Sequence, residues 1–366
     1  LPAPLGPSGI RRRHASEEPF ERPVFMEAVS TKQVSIIVPI YNMEAFVASG
    51  VQCLKEQTYP NIELILIDDG STDGRGAACE REAGRDSRIR VYHTVNRGAG
   101  PARNLGMDLA RGDYFHFFDI DDYLVPNAIS LLVKAAEETG ADLVVGGFAV
   151  DDHNKNQRVI PKADHLYRTG EQVRNDFYPH MFMFGEQGIF QSACFKLFRA
   201  ETVRKHGVRF PDLRRNQDEV FLAEYAAVMK DVYFIPDILY RYFANDHARL
   251  FQKVTYDYFP IIQRSSRRII ELVLGWNPEN QRVREKLFQD YYYKTFQSIW
   301  FLFNPHGKRS HRQRYARMKE IVQAFLDDLP TRDFGETSAV YRYMCKKQYG
   351  RLYLRMWYFT WKHRND

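Results

Sequence analysis

Cysteine is scarce in this sequence: Cys53, Cys79, Cys194 and Cys345 are the four, far apart and with no C-x-x-C pair. That spacing argues against a zinc site and against the disulfide framework of a small secreted protein. Long apolar runs are missing as well. No stretch approaches the roughly 18–20 consecutive apolar residues of a membrane-spanning helix, and the N-terminal residues hold no signal-type apolar segment. These absences lead to the expectation of a soluble or peripherally attached protein of the reducing cytoplasm, at work there or at the cytoplasmic face of a membrane. What the chain does have is bulk: 366 residues, 44% hydrophobic, 27% charged and 14% aromatic. With 26 Phe and 22 Tyr it can bury a core without disulfide or metal staples, which excludes wholesale disorder.

Charge is unevenly spread. Residues 251–366 hold 22 Lys/Arg against 11 Asp/Glu, a balance of +11, and residues 1–250 carry −5. Residues 1–30 contain five of the 17 prolines, the basic run Arg11-Arg12-Arg13-His14 and no apolar periodicity, and read as a linker or tail. From Val34 the pattern changes. Val34–Pro39, Ile62–Ile67, Ile89–His93 and Tyr114–Phe118 read as strands, alternating with helices over Glu44–Gln57, Gly74–Ala83 and Pro101–Ala110. Several of these strands are unbroken apolar runs, as a sheet covered on both faces requires. A helix over Asn127–Thr139 and a strand over Asp142–Gly146 extend it. Further on, Phe195–Phe198 reads as a strand, Asp218–Met229 as a helix and Val232–Tyr242 as an edge strand bearing Pro236. Helices are expected over Tyr258–Leu274, Gln281–Phe303, His311–Leu329 and Ser338–Lys362. The expected architecture is an open α/β sheet at residues 31–250 followed by a helical, basic and aromatic module at 251–366. Such sheets bind ligands beyond the carboxyl ends of their strands, where the loops carry Tyr41-Asn42, Asp68-Asp69, Asn96-Arg97-Gly98 and Asp119 to Asp122.

Three of these loops carry the chemistry. Phe117-Phe118-Asp119-Ile120-Asp121-Asp122-Tyr123 sets three carboxylates at the end of an apolar strand. Crowded acids repel and raise one another's pKa; a hard cation such as Mg²⁺ or Mn²⁺ relieves that, and helix capping by Asp121 or Asp122 is the other reading. Asp68-Asp69-Gly70-Ser71-Thr72-Asp73 is either a turn and helix cap or a carboxylate offered to a nucleobase or ribose. Asn96 to Asn104 superficially matches a dinucleotide fingerprint, but Arg103 stands where its third glycine belongs and the segment follows the third strand. Arg103, in the first helical turn, suits either a phosphate or a surface salt bridge.

Taken in order, Val38-Pro39-Ile40-Tyr41-Asn42, the run Gln57 to Asp73, Asn96-Arg97-Gly98 with Ala102-Arg103-Asn104, and Asp119-Ile120-Asp121-Asp122 resemble the family 2 glycosyltransferases, inverting enzymes of GT-A fold. The resemblance is close over about residues 33–128 and looser to about 245. It implies a nucleotide-sugar donor, most often a UDP-sugar, bound with Mn²⁺ or Mg²⁺, and a hydroxyl acceptor on a glycan, lipid-linked chain or polymer. Carried over by position, Pro39, Tyr41 and Asp69 line the nucleoside pocket and Arg103 lies near the diphosphate. Asp121 is the direct metal ligand of the D-x-D, and Asp119 faces the ribose or a metal-bound water. The family's later Glu-Asp pair falls on Gln217-Asp218, a departure that leaves Asp218 as the catalytic base and Glu219 as a neighbour. His247 sits where some GT-A enzymes carry a late metal or phosphate ligand, and a solvated loop histidine is the plainer reading. The rival activities are a nucleotidyltransferase, for which no Gly-rich triphosphate loop follows the first strand, and a non-catalytic sugar-nucleotide or RNA-binding module. The basic aromatic segments after residue 290 read as packing onto the catalytic part, as attachment to an anionic membrane, or, with least support, as nucleic-acid binding.

Overall fold

The computed structural model describes residues 31–72, 76–152, 157–159, 166–175, 192–244, 257–304, 307–329 and 335–362. Thr31–Asp366 forms one compact unit. Its centre is a sheet of strands β1 Val34–Ile40, β2 Ile62–Asp69, β3 Ile89–Thr94, β4 Tyr114–Phe117, β5 Tyr123–Leu124, β6 Leu143–Asp152, β7 Gln157–Val159, β8 Tyr167–Thr169, β9 Lys196–Arg199 and β10 Asp231–Ala244. The order is β3-β2-β1-β4-β9-β6-β10-β5, with β7 beside β6 and β8 beside β10. The first four run parallel, Val34 opposite Ile62 and Ile37 opposite Phe117, joined by α1 Glu44–Lys55, α2 Gly76–Ala83 and α3 Ala99–Leu109.

All eight residues of β2 are buried, including Glu63. A carboxylate tolerates that position only with its lone pairs satisfied. Ser35 Oγ (2.6 Å), the Arg111 backbone N–H (2.6 Å) and Arg90 Nη1 (2.9 Å) all donate to it. Burial opposes its charge, but these donors outweigh burial and hold its pKa below the ordinary value. With the folded-state pKa lowered, the unfolded chain binds more protons below neutrality. The stabilisation is full above the ordinary glutamate range and drains away as pH falls through the lowered value. E63Q is expected to cost about 1–3 kcal/mol at pH 7 and to flatten the acid limb of a urea-unfolding series from neutral to acid pH. An unchanged slope in that limb would remove Glu63 from this role.

Two features depart from the sequence pattern. β9 runs antiparallel to both β4 and β6, a wedge inside the sheet. The strand expected at an edge, β10, is paired on both sides: parallel to β6, and antiparallel to β5 and β8. Pro236 fits because the β10–β6 register shifts between Phe234 and Ile238, so its missing N–H falls at an irregularity. The remaining helices of this half are α4 Ala128–Thr139, the short turn α5 Gly170–Gln172, α6 Ala200–His206 and α7 Gln217–Val228.

The C-terminal helices are α8 Phe259–Trp276, α9 Gln281–Phe301, α10 His311–Asp328, α11 Ala339–Cys345 and α12 Tyr349–Lys362. Across the boundary expected near residue 250, Ile269, Val273, Val283 and Leu287 belong to the same buried cluster as the sheet. A second cluster gathers Phe288, Met318, Phe325, Met344, Leu352 and Met356. The single helix expected over Ser338–Lys362 is two, parted at Lys347, which adopts φ 53°. The break lets Met344 on one side and Leu352 and Met356 on the other all reach zero exposure; burial overrides local helix propensity.

Candidate active site

The carboxyl ends of β1, β2 and β4 and the N-terminus of α7 meet at one rim. Arg103 is central to it. The residue is 3% exposed, and its fork is spent on two carboxylates: Nη1 donates to Asp218 and Nη2 to Asp119, each at 2.8 Å. Its Cζ lies 5.4 Å from the Phe210 ring centroid, and its Nε is buried with no hydrogen-bond partner among the described residues. Arg103 is thus a guanidinium sunk beneath the rim that ties the D-x-D strand end to α7. Burial lifts the pKa of Asp218, with Arg103 pulling the other way and Asp119 adding to the rise.

The D-x-D turn closes on itself through Asp122 N–H to Asp119 O (3.0 Å). Asp122 is committed to structure: Tyr240 O–H donates to it at 2.6 Å and the Phe243 backbone N–H at 3.2 Å. Burial, then the charges of Asp119 and Asp121, push its pKa upward against the Tyr240 hydrogen bond. Asp119 remains 38% exposed at its side chain, and Asp121 is half-buried beside it. Among the described residues, no group of three or more His, Cys, Asp or Glu side chains stands close enough to hold a metal ion.

Asp69 is also turned inward, at 2% exposure. Its Oδ1 accepts from Arg97 N–H (2.9 Å) and its Oδ2 from Gly98 N–H (2.7 Å). Gly98 has φ 98°, a region that disfavours side chains, so Asp69 fixes the loop entering α3. Asp68 is held separately by His93 (2.8 Å) and Ser71 N–H (3.0 Å). Beside Asp69, a cleft of about 370 Å³ is bounded by Thr94, Arg97, Pro101, Phe210 and Asp212. A larger cavity, about 680 Å³, adjoins it through Arg97 and Asp212 and is also lined by Arg214 and Arg264. Pro39 is half-buried in β1; Tyr41, 45% exposed, and Asn42, at φ 57°, follow it on the rim. His247 lies outside the described residues.

Asn104 positions this site and was given no role from the sequence. It clasps the segment leading to α7, donating to Phe210 O (2.8 Å) and accepting from Phe210 N–H (2.9 Å). Its place beside Arg103 in the motif was the only signal. Gln217, at the departed acid position, has a buried Oε1 with no partner among the described residues. Glu219 points away from the rim's acids to Lys294 of α9 (2.7 Å), which also meets Asp290 (2.9 Å).

The family model described as glycosyl transferase family 2 matches residues 35–207. Glycosyltransferase GlyG of Streptococcus pneumoniae serotype 4 is 32% identical over 216 residues, 57% of this chain and 70% of that protein. The cholesterol galactosyltransferase of Borreliella burgdorferi is 24% identical over 352 residues, 91% of this chain and 94% of that protein. Two relatives from Bacillus subtilis are spanned over only 61% and 38% of their length. Among solved structures, S. aureus TarS 1–349 in complex with UDP has a TM-score of 0.66 at 16% identity, covering 91% of this chain and 92% of that one. Its complex with UDP-GlcNAc gives 0.64 at 17%, covering 90% and 91%. The architecture is thus GT-A, a mixed α/β sheet with a helical C-terminal region. With the match over residues 35–207 and the kinship to GlyG, the chain belongs to glycosyl transferase family 2.

Proposed function

We propose that this glycosyltransferase moves a sugar from a UDP-sugar to a hydroxyl of a glycan, lipid-linked chain or polymer by direct, inverting displacement, with Asp218 as the general base. The observation that carries this reading is Arg103, whose two nitrogens hold Asp119 and Asp218 at 2.8 Å each. One guanidinium thereby sets the distance between the acid facing the donor and the acid facing the acceptor. A base in a one-step displacement must meet the acceptor hydroxyl on the face opposite the leaving group, within about 3 Å of its proton. The raised pKa of Asp218 makes it a stronger base than an exposed aspartate. Arg103 is read as a positioning residue. Pro39, Tyr41 and Asp69 frame the nucleoside pocket, Asp69 acting chiefly through the Arg97-Gly98 loop that it holds.

The rim fits a divalent cation by its donor chemistry. Asp122 is engaged by Tyr240 and Phe243, and one oxygen of Asp119 by Arg103. By their place in the D-x-D, Asp121 and Asp119 are read as the hard donors, two protein carboxylates being the usual share for Mg²⁺. After burial, the neighbouring charges of Asp119 and Asp121 add to the rise of the Asp122 pKa, and that repulsion is what such an ion offsets. When bound, Mg²⁺ or Mn²⁺ there neutralises the charge of the departing diphosphate.

TarS is seen with UDP and with UDP-GlcNAc, which makes UDP-sugars the first donors to try. Incubated with Mn²⁺ and a panel of UDP-, GDP- and dTDP-sugars, the protein is expected to release UDP from at least one member and to be stabilised against heat by UDP. A panel with no nucleoside diphosphate released and no thermal shift from UDP would overturn the donor assignment.

A further inference from the structure

Among the described residues, four of the ten exposed large hydrophobic side chains lie on one helix, α12: Leu354 (66%), Trp357 (48%), Tyr358 (50%) and Trp361 (61%). Their spacing, i, i+3, i+4 and i+7, puts them on a single stripe of a 3.6-residue helix. The opposite face is already satisfied, since Leu352 and Met356 are fully buried in the second core cluster. Packing therefore explains one face of α12 and leaves the aromatic one outside. Charge is equally one-sided. From Thr337 to Asn365 the sequence has no Asp or Glu, while Arg342, Lys346, Lys347, Arg351, Arg355 and Lys362 are all exposed. No helix among the described residues is long and apolar enough to cross a membrane.

We propose that α12 docks on an anionic phospholipid surface, with Leu354, Trp357, Tyr358 and Trp361 entering the interface and Arg351, Arg355 and Lys362 meeting the headgroups. Trp and Tyr favour the boundary between headgroups and acyl chains because their rings are apolar and their tips polar. Long basic side chains beside them keep their ammonium or guanidinium groups in the headgroup layer while their stems lie along the apolar stripe. A helix with an apolar stripe and a basic flank lies in the plane of the interface. Charge selects the partner. A second copy of this face would bring basic groups against basic groups with no carboxylate to offset them, whereas phosphatidylglycerol-type headgroups supply the missing sign. The glycosyltransfer chemistry is independent of this contact, which locates the enzyme without altering its site.

Flotation of the full chain with vesicles tests it. Vesicles of phosphatidylcholine mixed with phosphatidylglycerol are expected to carry the protein upward, and vesicles of phosphatidylcholine alone to carry much less. W357A/W361A and R351Q/R355Q/K362Q should each weaken partitioning about tenfold or more, and added salt should reproduce the second effect. All substituted side chains are exposed, so far-UV circular dichroism should match the parent. No flotation with the anionic vesicles, or equal flotation of W357A/W361A, would overturn the proposal. So would sedimentation showing self-association through this face, or an oligonucleotide bound in place of lipid. UDP binding measured on the same preparations separates the two ideas: its absence with flotation intact strikes only the donor assignment.

Discussion

Asp218→Asn is expected to lower sugar transfer about 10²- to 10⁴-fold, the range general-base catalysis supplies, while UDP binding stays within a few-fold of the parent. The amide cannot take up the acceptor's proton, yet its oxygen can still accept from Arg103 Nη1, so the 2.8 Å link to the α3 side survives. Donor affinity and fold are therefore preserved where turnover is not. Measuring kcat with saturating donor alongside UDP titration makes the distinction. Near-parental kcat would exclude Asp218 as the base; loss of UDP affinity in proportion to activity would assign it to donor binding. The pH profile adds a second reading. Burial raises the Asp218 pKa, so kcat/KM should fall on the acid side at a pH above that of an ordinary aspartate.

Arg103→Leu is expected to destabilise the fold markedly. Removing the guanidinium leaves Asp119 and Asp218 facing one another across a buried gap, and breaking a buried pair by deleting one member costs about 3–5 kcal/mol. The lower figure applies, because the Asp119 side chain is 38% exposed and solvent screens it. Some of the loss is packing, since the Arg103 side chain also lies against Phe210. Urea unfolding at neutral pH measures the cost. R103L/D218N should recover a large part of it, since the double variant no longer buries an uncompensated second charge; equal stability of R103L and parent would dissolve the bridge as a structural element. R103K keeps a charge but only one point of attachment, and should lie between the two.

The parts of this fold that announce themselves in the sequence are those built from neighbours. β1 and β2 are legible because Val34–Pro39 and Ile62–Ile67 are unbroken apolar runs that a doubly covered strand needs. The Asp119–Asp122 turn stands out because three acids follow directly on Phe117-Phe118. The rest depends on residues remote along the chain. Nothing near Lys196–Arg199 reports that it will run against both β4 and β6. Tyr240 restrains Asp122 from 118 residues away. Arg103 read locally as a helix-start cation suited to phosphate, and only the arrival of α7 with Asp218, 115 residues later, turns it inward. Lys347 gave no sign of its break because neither proline nor glycine marks it; the cause is the pull of Met344 and Leu352 toward one core.

Lys294 has a bearing on how this enzyme can be recombined with its relatives. Its ammonium is 14% exposed at the side chain and is kept charged, despite burial, by Glu219 and Asp290. Glu219 is the residue after Asp218, so the C-terminal helices and the first turn of α7 share a counter-ion. A chimaera that imports helices from another family member while keeping this sheet must match residues 219 and 294 as a pair. A mismatched join would strand one charge at the seam and loosen α7 just where Asp218 begins.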